Sequence, residues 1–421
     1  MIDSEFAAAA RHLASRLMSL ARFSSTGVPA WDGDDVDSVR SEQQGRPVLV
    51  HGALDDGLLT GRAGIAVALA ACSRLPGGSS AWSMLARQTM HSLLVDRPTL
   101  QPGGLGWQSG ALGIARAAKL VGELTGDPKL VSAGRELAGQ AVWALRNDIA
   151  LCPPYADLLD GEAGHLAAVL AADLPTAAEP ARKAVAGQLV AQIAGRATRD
   201  ARGASWAMAG FAPSVVGLAH GGSGIALALA AAQASGLDAD CLIDDALRWE
   251  NGHYEASRGG WPDLRVHGRP AGLAWCHGAA GVGIAAAYRS ALIGDPFAEI
   301  SYARARLAAA AHRPNGSAFD GTMCHGLTGV VELHLAGTEA WPSAALEHLR
   351  AARIVARHIT RAGSSGRPGW TCGVTGGRTP NVLVGLAGVA ITLVRCHAAA
   401  IVPTLAHPGL PVAAAHSVNQ S

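Results

Sequence analysis

Two short runs concentrate the side chains best able to hold a soft metal ion: Trp275-Cys276-His277-Gly278 and Met323-Cys324-His325-Gly326. Zn²⁺ favours a tetrahedral shell of thiolate and imidazole, and a catalytic zinc takes three protein ligands and leaves the fourth place to water or substrate. Cys276, Cys324 and His325 meet that requirement with one ion. His277 as a fourth ligand would instead close the shell into a structural Cys₂His₂ site. A lone Cys-His pair reads more readily as a core thiol beside a helix-capping imidazole. Two Cys-His-Gly triplets in the same register of a repeat favour the metal.

To act together, the triplets need a scaffold that sets residues 48 apart side by side. Repeats supply one. Aligned on Gly-x-x-Gly, the chain contains seven related segments, with first glycines at Gly61, Gly110, Gly161, Gly221, Gly278, Gly326 and Gly385, spaced 48 to 60 residues apart. Each glycine pair opens a run rich in Ala, Leu, Val and Ile with few charges, which reads as a buried helix. Glycine at such an entrance lets two backbones approach closely. Amphipathic stretches lie between the runs, around 4–22, 80–95, 129–146, 180–197, 239–250, 297–313 and 344–360, and read as outer helices with one wet face. The expected fold is all-α: an α/α toroid, or double α-barrel, of seven inner and seven outer helices over residues 1–400. The tail 401–421, with three prolines and little periodicity, is expected to be loosely ordered. An open helical solenoid is the alternative, since spacing does not show closure.

If the repeats are equivalent, residues in one column face one central space. The position before each first glycine holds Thr60, Ser109, Asp160, His220, His277, His325 and Val384, so metal-capable and acid/base side chains gather in the middle repeats. One position earlier stand Leu59, Gln108, Leu159, Ala219, Cys276, Cys324 and Leu383, which puts two thiols at one height in neighbouring repeats.

Composition narrows the partners. With 34 basic and 33 acidic residues, the net charge of +1 gives no electrostatic reason to expect nucleic acid. No apolar run approaches the roughly 18 residues of a membrane span, so an integral membrane protein is not expected. The acidic, amphipathic N-terminus does not read as a secretory signal, and the expected location is the cytoplasm. Seven cysteines argue against a disulfide framework, and Cys72, Cys152, Cys241, Cys372 and Cys396 read as core or loop thiols. A carbohydrate-active α/α barrel would place paired carboxylates around its mouth, where the columns offer only Asp157 and Asp160.

The two Cys-His-Gly triplets on seven Gly-x-x-Gly repeats resemble the lanthionine synthetase C-like family from about Pro47 to Val394. The resemblance implies a zinc ion on Cys276, Cys324 and His325, with His277 beside the site rather than on the metal, where it is a further candidate for catalytic acid or base. It also implies a catalytic His220, in GLAHGGSG, and an aspartate at Asp157, in ADLLDG; the repeat column favours Asp160 instead, which then stands as second choice. Some relatives carry an arginine where this chain has Gly272, while Arg265 and Arg269 lie nearby out of register. The activity implied is lanthipeptide cyclisation, in which peptide Cys thiols add to dehydroalanine or dehydrobutyrine to form thioether (methyl)lanthionine rings. The implied partners are a dehydrated precursor peptide and a dehydratase. Two other uses fit the same residues: addition of a small thiol such as glutathione to dehydrated residues, and a non-catalytic peptide-binding toroid with a structural zinc.

Overall fold

The runs that follow the glycine pairs are helical in the computed structural model, which describes residues 2–36, 48–95, 100–208, 214–265, 272–311, 320–364 and 379–410. Among these residues the helices are, in chain order, α1 (Ile2–Ser19), α2 (Arg62–Ser73), α3 (Ser80–Val95), α4 (Ala111–Thr125), α5 (Pro128–Asn147), α6 (Glu162–Ala171), α7 (Glu179–Arg196), α8 (Gly222–Ala234), α9 (Asp240–Asn251), α10 (Ala279–Ile293), α11 (Ala298–Ala311), α12 (Leu327–Ala340), α13 (Ala345–Ser364) and α14 (Leu386–His397). Even-numbered helices form the inner ring and odd-numbered ones the outer.

The two sets differ as their sequences require. In α8 every residue from Gly222 to Ala232 is buried, as befits a helix apolar on all sides. In α9 burial follows one face, through Leu242, Ile243, Ala246, Leu247, Trp249 and Glu250. Each inner helix packs against its inner neighbours, and α14 packs against α2, so the ring is closed and the open solenoid is ruled out. The outer partner of α14 is α1, the first helix of the chain. Among the described residues three two-stranded antiparallel ribbons decorate the toroid: β1 (Arg22–Phe23) with β2 (Pro29–Ala30), β3 (Asp32–Val36) with β4 (Leu49–Ala53), and β5 (Thr198–Asp200) with β6 (Gly203–Ser205). The last falls in one of the longer repeat intervals and packs on α9.

The loops that enter the inner helices are stitched to one another through their main chains. Leu59 N–H donates to Gln108 O at 2.9 Å, Leu159 to Ala219 at 3.1 Å, Ala219 to Cys276 at 3.1 Å, Trp275 to Cys324 at 2.9 Å, Cys324 to Leu383 at 3.0 Å and Leu383 to Leu59 at 2.9 Å. Between the second and third repeats the indole of Trp107 takes the place of an amide and donates to Leu158 O at 2.7 Å. The second glycine of each pair makes this possible. A Cβ on Gly64 would stand 2.0 Å from Leu58 O, and one on Gly281 would stand 1.9 Å from Trp275 O.

Residues 401–410 depart from expectation. Val402, Thr404, Leu405, Ala406, His407 and Leu410 are buried, and the segment packs into the toroid rather than trailing from it. Its prolines remove helical periodicity without removing the means to bury apolar side chains. Residues 411–421 lie outside the described residues, as does Cys372. Cys72, Cys152 and Cys396 are buried and unbridged, while Cys241 is exposed. No helix among the described residues is long and apolar enough to cross a membrane.

Two glycine substitutions should separate close approach from helix propensity. Gly64→Ala, whose Cβ would meet Leu58 O at 2.0 Å and Val382 Cγ2 at 2.5 Å, is expected to cost about 1–3 kcal/mol in urea denaturation. Gly187→Ala, in the interior of α7 with open space around it, is expected to stabilise by up to about 1 kcal/mol.

Candidate metal centre

Cys276 and Cys324 end the loops that lead into the adjacent inner helices α10 and α12. The Trp275 N–H to Cys324 carbonyl bond holds those loops edge to edge, which makes neighbours of two thiols 48 residues apart. Both cysteines are buried, whereas His325 is exposed at the rim. Its loop is fixed by the His325 N–H donating to Thr322 Oγ1 at 3.2 Å and by the Thr322 N–H donating to Asp320 Oδ1 at 2.8 Å.

One ligand atom from each of Cys276, Cys324 and His325 lies within 4.8 Å of the other two. Cys324 Sγ is 3.6 Å from His325 Nε2. A tetrahedral zinc with sulfur at about 2.3 Å and nitrogen at about 2.0 Å has a sulfur–nitrogen edge of about 3.5 Å. The donor set therefore fits zinc in chemistry and in spacing. His277 falls outside the set.

Without metal the thiols share protons unequally. Cys276 is held well below the ordinary thiol range, first by the Cys324 thiol that donates to it, against the cost of burial, and further by the rings of His277 and His325. Cys324 correspondingly keeps its proton. His325 is raised, chiefly by its hydrogen bond to Cys276.

Beside this cluster stands a second constellation, built from the third and fourth repeats. His220 Nδ1 lies 2.9 Å from Asp157 Oδ2. The other oxygen, Oδ1, accepts the N–H groups of Asp160 at 2.9 Å and Gly161 at 3.0 Å, so the entrance of α6 orients the carboxylate. A carboxylate on Nδ1 selects the tautomer that carries its proton there and leaves Nε2 for other work. The His220 ring stacks on that of His277, with centroids 5.5 Å apart, and His277 follows the first thiol ligand. Of the two aspartates, the bond to His220 falls to Asp157. The Asp160 carboxyl is pushed up to about 6, by burial first and by the charge of Asp157 second.

An arginine lies within electrostatic range of the thiols. Arg265 is raised chiefly by its pairing with Asp263, through Nε at 2.9 Å and Nη2 at 2.8 Å, and to a smaller extent by the electrostatics of the two cysteines. It stands outside the repeat register because it arrives from the preceding loop. The Asp-x-Arg spacing in WPDLR was its one local signal. Gly272 is exposed, and Arg269 lies outside the described residues.

A model of the lanthionine synthetase C-like protein family matches residues 52–406. The chain belongs to that family. Among solved structures, nisin cyclase is similar to this lanthionine synthetase C-like chain with a TM-score of 0.55 at 18% identity, over 82% of this chain and 89% of the other. At that identity the likeness speaks for the shared toroid alone. No curated protein matches the chain.

Two measurements follow from the geometry. The unaltered chain and Cys241→Ala are expected to retain zinc after dialysis, measured by elemental analysis, and Cys276→Ala and Cys324→Ala each to lose it. Asp160→Asn is expected to raise the melting temperature at pH 7.5 and leave it unchanged near pH 3. A carboxyl raised from 3.8 to about 6 on folding costs stability as pH climbs between those values, and the amide removes that cost.

Proposed function

We propose that this chain is a zinc-dependent lanthipeptide cyclase, adding Cys thiols of a dehydrated precursor peptide to dehydroalanine or dehydrobutyrine to form (methyl)lanthionine rings. The observation that carries the reading is the juxtaposition of two constellations. A two-thiol, one-imidazole donor set that His277 does not close stands beside an Asp157-oriented His220.

Cys276, Cys324 and His325 would hold the metal and leave a position for the substrate. A zinc ion held by these residues would supply Lewis acidity, lowering the pKa of a substrate thiol that is otherwise mostly protonated at neutral pH. Sulfur adds to the β-carbon of the dehydro residue, and the carbon–carbon π pair moves toward the carbonyl as an enolate. A proton must then reach the α-carbon. His220 supplies it from Nε2, with Asp157 on Nδ1 stabilising the charged ring before transfer. His277, stacked on His220 and next to Cys276, is placed between the two centres and serves as relay for the thiol proton. The sum is addition of S–H across C=C, with no redox change. Arg265 adds fixed positive charge near the thiolates.

The partners are the dehydrated precursor peptide and the dehydratase that makes it, and the proposed location is the cytoplasm. Addition of a small thiol such as glutathione to dehydrated residues would use the same groups. A structural zinc closed by His277 is disfavoured, because His277 lies outside the donor set.

Incubation with a dehydrated, Cys-containing precursor should protect its thiols from alkylation, as read by mass spectrometry, and a chelator should abolish that protection. A glutathione adduct in place of a ring would turn the assignment to the small-thiol reaction. His220→Ala and Asp157→Asn should retain zinc and slow ring formation by about 10²–10⁴-fold.

A further inference from the structure

The segment from Ile401 to Leu410 carries no group the chemistry above uses, yet it reaches the loop from which Cys276 hangs. Trp275 is fully buried and both of its N–H donors are engaged. Its N–H is bonded to the Cys324 carbonyl at 2.9 Å. Its own carbonyl sits where a Cβ on Gly281 would be 1.9 Å away. Its indole Nε1 donates to the carbonyl of Ala406 at 3.1 Å. A residue that precedes one thiol ligand and is bonded to the main chain of the other sets the separation of the two sulfurs.

We infer that the C-terminal segment is a positioning element of the metal centre, in which the Ala406 carbonyl, acting through the Trp275 indole, fixes the loop that presents Cys276. The inference rests on the zinc reading of the preceding section. The acceptor is itself held on several sides. The Ala406 N–H donates to Thr404 Oγ1 at 3.0 Å, and that hydroxyl donates to Glu332 Oε2 at 2.8 Å on α12, the helix Cys324 leads into. Arg116 on α4 clamps the carbonyls of Thr404 at 2.7 Å and His407 at 2.6 Å. The ring nitrogen Nδ1 of His407 accepts the N–H groups of Gly409 at 3.1 Å and Leu410 at 3.2 Å, which locks the turn. The segment thus ties α4 and α12 to the loop before α10. A filler of the barrel would need only apolar contact; this one directs a buried carbonyl at the ligand loop.

The test compares full-length variants by zinc affinity, using competition with a chromophoric chelator, and by the absorption bands of the Co²⁺-substituted protein. Trp275→Phe removes the indole donor and keeps a ring, and Thr404→Val removes the hydroxyl at nearly constant shape. Both are expected to raise the zinc Kd by about tenfold, the scale of one lost buried hydrogen bond, and to shift the cobalt bands. Thr404→Ser should restore unaltered affinity. Thr89→Val deletes an equally buried hydroxyl on α3, bonded to Leu85 O at 2.8 Å, and should leave both readouts unchanged. Unaltered affinity and cobalt bands in Trp275→Phe and Thr404→Val would overturn the inference, as would a Thr404→Ser variant as weak as Thr404→Val. Absence of zinc binding by the unaltered chain would overturn the zinc reading itself.

Discussion

The structure depends on the ring of main-chain hydrogen bonds that joins the entrances of the inner helices. Main-chain donors and acceptors are the same whatever side chain a residue carries, so apart from the Trp107 indole link this ring fixes positions without fixing residue types. The column it holds runs through Leu59, Gln108, Leu159, Ala219, Cys276, Cys324 and Leu383. Reactive thiols occupy two adjacent places in a scaffold that treats them like leucine. The second glycine of each pair is the other half of the constraint. Without a Cβ, each inner helix can approach the carbonyl of its own entrance loop.

Upon that regular frame the chemistry is arranged unevenly. The fifth and sixth repeats supply the donor set, the third and fourth supply Asp157 and His220, and His277 lies between them. The remaining repeats carry Thr60, Ser109 and Val384 at the same position, groups with little acid/base capacity. The division has an electrostatic rationale. Asp157 accepts two N–H groups at the start of α6 on one oxygen and turns the other to one imidazole, while Arg265 lies within electrostatic range of the thiols.

Closure of the ring draws on both ends of the described chain. The first helix covers the last inner one, and Glu5 on α1 pairs with Arg357 on α13 at 2.9 Å. Below the mouth, Arg395 is fully buried and pairs with Glu332 and Glu339, and Glu332 also receives the hydroxyls of Thr392 and Thr404 at 2.8 Å. Such a network is costly to desolvate and holds only when its members are satisfied together. Residues 401–410 contribute one of those members, which is why a segment without periodicity is still firmly seated.

By itself the sequence determined the repeat, its period, the alternation of inner and outer helices and the residue types in each column, because all of these are local patterns of glycine and apolar spacing. It also put two thiols and a histidine in register. Only the tertiary structure decided which of these residues meet. The bond from His220 to Asp157 spans 63 positions and that from Trp275 to Ala406 spans 131. Asp157 and Asp160 are both acids in one short loop, and column counting favoured the wrong one for His220 because the loop folds back and uses the N–H of Asp160 rather than its carboxyl. Arg265 and the C-terminal segment escaped for a related reason. Periodicity registers the faces of helices, whereas these residues act from loops, whose position is set by the hydrogen bonds they find once the ring has closed.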